Sequence, residues 1–162
     1  MRDFSQIYNV PNIPAVYAFH CSGKGEQYVA YVGFAHHLKQ RIVKHLIRRD
    51  SSDATGVSAV SLNPNQLIRL EWWEHHSFDK TVNLKVAEMV AFEILQPALR
   101  SRVRDGNVDK LIINDDSFVI SMQKLFKGPA TGSVDMFSFS DALRRIDLLE
   151  KRVEQLEAHL KK

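Results

Sequence analysis

The sequence predicts an α+β domain: a small three-stranded mixed or antiparallel sheet flanked by helices, followed by a C-terminal coiled-coil helix. Three observations carry this. Two strand-like runs rich in Val, Tyr and Phe are joined by the turn-prone "CSGKGE". The hydrophobic period then changes from strand to helix. The tail keeps an a/d heptad spacing.

In chain order, Ala15–His20 and Gln27–Tyr31 read as a hairpin, with Gly33 ending its second strand. From about Ala35 to Arg49, Leu38, Ile42 and Leu46 recur every four residues, which marks one face of a helix. "DSSDATGVS" is a loop, and Gln66–Glu74 alternates as a third strand. "DKTVNLKVAEMVAFEILQPALR" is an apolar helix with Pro97 near its end. "DDSFVISMQKLFKG" reads as a short helix with Asp as its cap and Gly128 as its stop. The domain thus spans 1–128, with 129–136 a linker and 137–162 the dimerisation helix.

In the tail, Phe139, Ala142, Ile146, Leu149, Val153, Leu156 and Leu160 form the seam. Arg145 and Arg152 fall at g, Glu150 and Glu157 at e, so a parallel pair matches opposite charges twice. This predicts a homodimer through 139–160; the alternative is an amphipathic helix packed on its own domain.

Composition narrows the function classes. The net charge of +3 is a mild basic bias that permits a polyanionic partner. Cys21 is the single cysteine, which excludes a disulfide framework and a Cys-based zinc site. No run is long and apolar enough to span a bilayer, and "MRDFSQIYNV" is too polar for a signal peptide, so a reducing, cytoplasmic location is expected.

The helix after Gly33 carries Lys39, Arg41, Lys44, Arg48 and Arg49 and no acid. His37, Arg41, His45 and Arg48 share one of its faces, a cationic surface suited to a phosphate backbone or simply to solvent. Glu88 sits among Leu84, Ala91, Phe92 and Leu95 at helical spacing, where a carboxylate needs a partner or a metal. Tyr17 and Tyr31 read as packing residues when taken alone. Phenols, a cationic face and one carboxylate together match what phosphodiester hydrolysis requires. Of Trp72 and Trp73, one is expected in the core and one outward. His75 and His76 are expected on opposite faces of the strand.

"AVY", "YVG", Arg41, His45 and Glu88, in that order and spacing, resemble the GIY-YIG nuclease superfamily over roughly residues 13–100. Tyr17 matches the first motif's tyrosine, and Tyr31 and Gly33 match the second motif. Arg41 stands eight residues past Gly33, His45 a turn later, and counting back from Pro97 selects Glu88. Ala15 stands where the family has Gly, and Arg100 where it often has Asn.

The resemblance implies a metal-dependent DNA endonuclease. Tyr17, Tyr31, Arg41, His45 and Glu88 would be catalytic, Gly33 structural at the site, and Glu88 the ligand of one Mg²⁺ or Mn²⁺. Tyr17 would orient or deprotonate the attacking water, its pKa lowered by nearby cations; Arg41 would balance phosphate charge. His37, Lys39, Lys44, Arg48, Arg49 and Arg100 would contact DNA. The competing readings are a nucleic-acid-binding module with weak or no turnover, and a coiled-coil interaction protein. No separate DNA-reading domain is visible, so target specificity would fall to the loops at 50–65 and 101–133.

Overall fold

A computed structural model of the chain describes residues 2–3, 5–23, 26–44, 46, 66–99, 115–138, 149–157 and 159. The elements are β1 (Arg2–Asp3), a 3₁₀ turn at Ser5–Asn9, β2 (Ala15–Gly23), β3 (Glu26–Ala35), α1 (Leu38–Val43), β4 (Leu67–Trp73), α2 (Thr81–Leu95), α3 (Asp116–Lys127), β5 (Gly132–Asp135) and β6 (Phe137–Ser138). Residues 149–157 are helical.

The α+β class holds, with one correction to the strand count. The main sheet has four strands in the order β3-β2-β4-β5, each pair antiparallel, and β1 pairs separately with β6. The additional strand, β5, lies in the stretch expected as a linker, 129–136. It is too short and too rich in Gly and Ser to show a strand pattern. It forms because Gly132 lies opposite Trp72, whose indole fills the space a Cβ would need.

Both faces of the sheet are covered, so β2 is buried almost throughout. On one face Tyr17, Phe19, Tyr31, Leu70 and Trp72 pack with Ile7 and Val10 of the lead and with Leu38, Ile42 and Leu46. On the other, Val16, Ala18, Val32 and Trp73 pack with Leu84, Ala87 and Ala91 of α2 and with Met122 and Phe126 of α3. This corrects the tryptophan expectation. Trp72 and Trp73 do point opposite ways, but both are buried because each face has its own layer. His75 and His76 lie beyond β4, and their rings stack with centroids 4.1 Å apart instead of facing apart.

Local chemistry explains the helix ends. Asp115 caps α3 by accepting from the N–H groups of Ser117 and Phe118, and the Ser117 hydroxyl, followed by these N–H groups, holds its carboxyl below the usual range. Gly128 stops α3 in an extended conformation. The first donors of α1 are met by the preceding segment: Leu38 donates to the Ile13 carbonyl (3.1 Å), Lys39 to the Pro11 carbonyl (3.2 Å) and Gln40 to Asn12 Oδ1 (3.4 Å). α2 ends at Gln96, which is left-handed (φ 46°) and donates to the Phe92 carbonyl. Beyond the buried Pro97, the N–H groups of Ala98 and Leu99 donate to the carbonyls of Val29 and Ala30 at 2.9 and 2.8 Å, covering the outer edge of β3.

In the tail, only 149–157 and 159 are described past Ser138, so most of the expected seam lies outside the described residues. Within it, Leu149, Val153 and Leu156 are 64%, 52% and 59% exposed. Among the described residues, no helix is long and apolar enough to cross a membrane.

Candidate active site

The site is set by how α2 lies against β3. At one end, His36, just past β3, is hydrogen-bonded to Thr81 Oγ1 (2.9 Å) at the start of α2. At the other, Ala98, just past α2, is bonded to Val29. The helix therefore runs antiparallel to β3. Its fifteen residues cover roughly 22 Å, and the strand from Val29 to His36 roughly 23 Å. Glu88 falls midway, beside Tyr31 and Gly33.

The two phenols come from the neighbouring strands. Tyr17 lies opposite Gly33, and Phe19 opposite Tyr31. The ring centroids of Tyr17 and Tyr31 are 6.1 Å apart, and Phe19 closes the cluster at 5.5 Å from Tyr17 and 6.2 Å from Tyr31. Gly33 is inside β3, not at its end as the hairpin pattern suggested. It carries no side chain because the two rings use that volume: a Cβ there would be 2.8 Å from both Tyr17 Oη and Tyr31 Cε1. Tyr17 is fully buried and cannot swing away. Gly33→Ala is therefore expected to cost about 2 kcal/mol of stability and to impair any activity that depends on the phenols. Thermal unfolding and near-UV circular dichroism would check this.

Arg41 is one helical turn into α1, between the buried Leu38 and Ile42, and is itself partly buried. Its guanidinium lies close enough to Tyr17 and Tyr31 to favour their ionised forms by charge and by hydrogen bonding. Its Nε is buried without a hydrogen-bond partner among the described residues. Glu88 is partly buried, and none of the ion pairs among the described residues uses it. Burial raises its pKa from 4.5 to about 7, against the opposing pull of Arg41 and then Lys85.

The phenols do not behave as the sequence suggested. Burial drives Tyr17 well above 10, reinforced by Tyr31, and Arg41 only partly offsets this. Burial and then the Glu88 charge push Tyr31 up to about 12. In the metal-free protein both are therefore neutral donors at physiological pH, because Arg41 by itself does not outweigh desolvation.

Tyr17, Tyr31, Gly33, Arg41 and Glu88 thus meet in one place. Of the remaining sequence candidates, His37 and Lys44 are exposed and Lys39 partly buried, all on or next to α1. His45, Arg48, Arg49 and Arg100 lie outside the described residues. Sequence reasoning missed His36, Thr81 and Lys85. Spacing held the clue for two of them, since Thr81, Lys85 and Glu88 stand at i, i+4 and i+7 on one helical face.

Glu88 suits a hard divalent cation. One carboxylate can hold Mg²⁺ or Mn²⁺ that keeps most of its waters, and a cation would relieve the cost of ionising this acid. Among the described residues there is no cluster of three His, Cys, Asp or Glu, so such an ion would have Glu88 as its carboxylate and water elsewhere. Comparison with family models, curated proteins and solved structures returns no match.

Proposed function

We propose that this protein is a metal-dependent DNA endonuclease of the GIY-YIG kind. The observation that carries the reading is the convergence of Glu88 of α2 with Arg41 and both phenols, which come from three earlier elements. A buried carboxylate outside the ion pairs of the described residues, beside a guanidinium with a spare donor, is costly to maintain as mere packing.

In this reading Glu88 holds the ion, and Arg41 faces the scissile phosphate and balances charge that develops on it. When bound, the Mg²⁺ or Mn²⁺ supplies Lewis-acid stabilisation of phosphate and leaving-oxygen charge. Tyr17 and Tyr31 stay protonated. Buried beside Arg41, they position its guanidinium, and they take no proton from the attacking water. His45 would bind phosphate or assist Tyr17. His37, Lys39 and Lys44, with Arg48, Arg49 and Arg100, would bind the DNA backbone. The tail from 139 to 160 would pair two copies in parallel and so bring two sites to one duplex; the exposed Leu149, Val153 and Leu156 support this.

One observation favours a second reading, a nucleic-acid-binding module with little turnover. Both phenols are driven away from ionisation, so neither is a ready general base. Incubating the purified chain with supercoiled plasmid in Mg²⁺, in Mn²⁺ and in EDTA separates the two. The endonuclease reading expects nicked or linear product with either metal and none in EDTA. Plasmid bound but intact under all conditions would leave the binding module.

A further inference from the structure

A cation next to the proposed site has no role in the chemistry described so far. We propose that Lys85 binds the backbone phosphate adjacent to the one that Arg41 faces, so that the substrate strand runs past the Glu88 face of α2. The inference rests on the endonuclease reading.

Three placements support it. Lys85 is one turn before Glu88 and one turn after Thr81 on the same face of α2. That face is latched to the turn between β3 and α1 by the His36–Thr81 hydrogen bond at 2.9 Å, which puts Lys85 beside the Gly33–Ala35 end of β3. Further cations, Lys39 and Arg41 on α1 and Lys44 at its end, follow β3 in the chain. Without Lys85, the α2 bank would meet a polyanion with the Glu88 carboxylate alone.

Lys85 is only partly buried, and its flexible stem ends in a compact charge with three donors. At rest the ammonium is close enough to Glu88 to favour the ionised carboxylate. His36 and Thr81 act as positioning residues that keep the bank in place.

The test compares wild type, Lys85→Met and Lys85→Arg. It uses gel-shift binding of a duplex oligonucleotide in EDTA over a salt series, and plasmid nicking in Mg²⁺. One lost phosphate contact should lower the slope of log K against log salt by about 0.9. It should also raise KM about tenfold, by more than kcat falls, with Lys85→Arg recovering most of the loss. A Lys85→Met protein that keeps the wild-type slope and KM and changes only the Mg²⁺ midpoint would overturn the proposal, leaving Lys85 as a counter-ion of Glu88. Wild type that neither binds nor nicks would instead overturn the endonuclease reading, and this inference with it.

Discussion

Glu88→Gln is expected to abolish strand cleavage, by ~10²-fold or more, and at the same time to make the metal-free protein more stable at pH 8. The first effect follows from loss of the anionic oxygen that would hold the ion. The second follows from burial. Glu88 titrates at about 7 in the fold against 4.5 as its ordinary value. A folded pKa above the unfolded one means that the protonated form stabilises the fold. That contribution is complete below pH 4.5 and is lost as pH rises through 7. The whole shift corresponds to about 3 kcal/mol, and a neutral amide carries no such penalty. Thermal unfolding at pH 5 and pH 8, in EDTA and in Mg²⁺, would show it. Wild type should lose stability with rising pH in EDTA and regain it with Mg²⁺ at pH 8, while Glu88→Gln should show neither response. A Glu88→Gln protein less stable than wild type at pH 8 in EDTA would mean that the carboxylate is a structural anchor.

Arg41→Ala is expected to be the other null variant, again with ~10²-fold or greater loss of cleavage, but with lower stability. The guanidinium sits against two buried phenols, and its removal leaves Tyr17 and Tyr31 without that cationic donor beside them. An unmet buried hydroxyl costs about 1–3 kcal/mol. Arg41→Lys should retain the charge and lose the planar fork that reaches both rings, so most of the activity should still be lost. Single-turnover nicking combined with chemical unfolding separates the two effects. An Arg41→Lys enzyme with wild-type rate would show that only the charge matters.

The parts of this fold that were legible in the sequence are those set by neighbours in the chain. The β2–β3 hairpin follows from Val, Tyr and Phe around a turn, and the Asp115 cap and Gly128 stop of α3 follow from backbone chemistry. What could not be read depends on contacts between distant segments. Gly33 looked like a strand end, yet a glycine inside a strand buried on both sides is needed once Tyr17 lies across it. Strand β5 looked like a linker because its pairing is decided by Trp72, sixty residues earlier in the chain. One of Trp72 and Trp73 was expected to face outward because nothing local announces the second layer formed by α2 and α3.

The site divides in the same way. Tyr17, Tyr31 and Arg41 are close enough in the chain for spacing to bring them together, and a carboxylate on an apolar stripe drew attention to Glu88. The protonation state of the phenols was not legible, because it depends on how completely the rings are buried. His36 and Thr81 meet across a gap that no periodicity spans.

The most direct measurement is paramagnetic broadening of the tyrosine ring signals by Mn²⁺, in wild type and in Glu88→Gln. If one pocket holds the ion, the phenols and the guanidinium, substoichiometric Mn²⁺ will broaden Tyr17 and Tyr31 first in wild type, ahead of the exposed Tyr8 and Tyr28, and will leave all four sharp in Glu88→Gln. Broadening confined to other residues, or the same broadening without the Glu88 carboxylate, would contradict it.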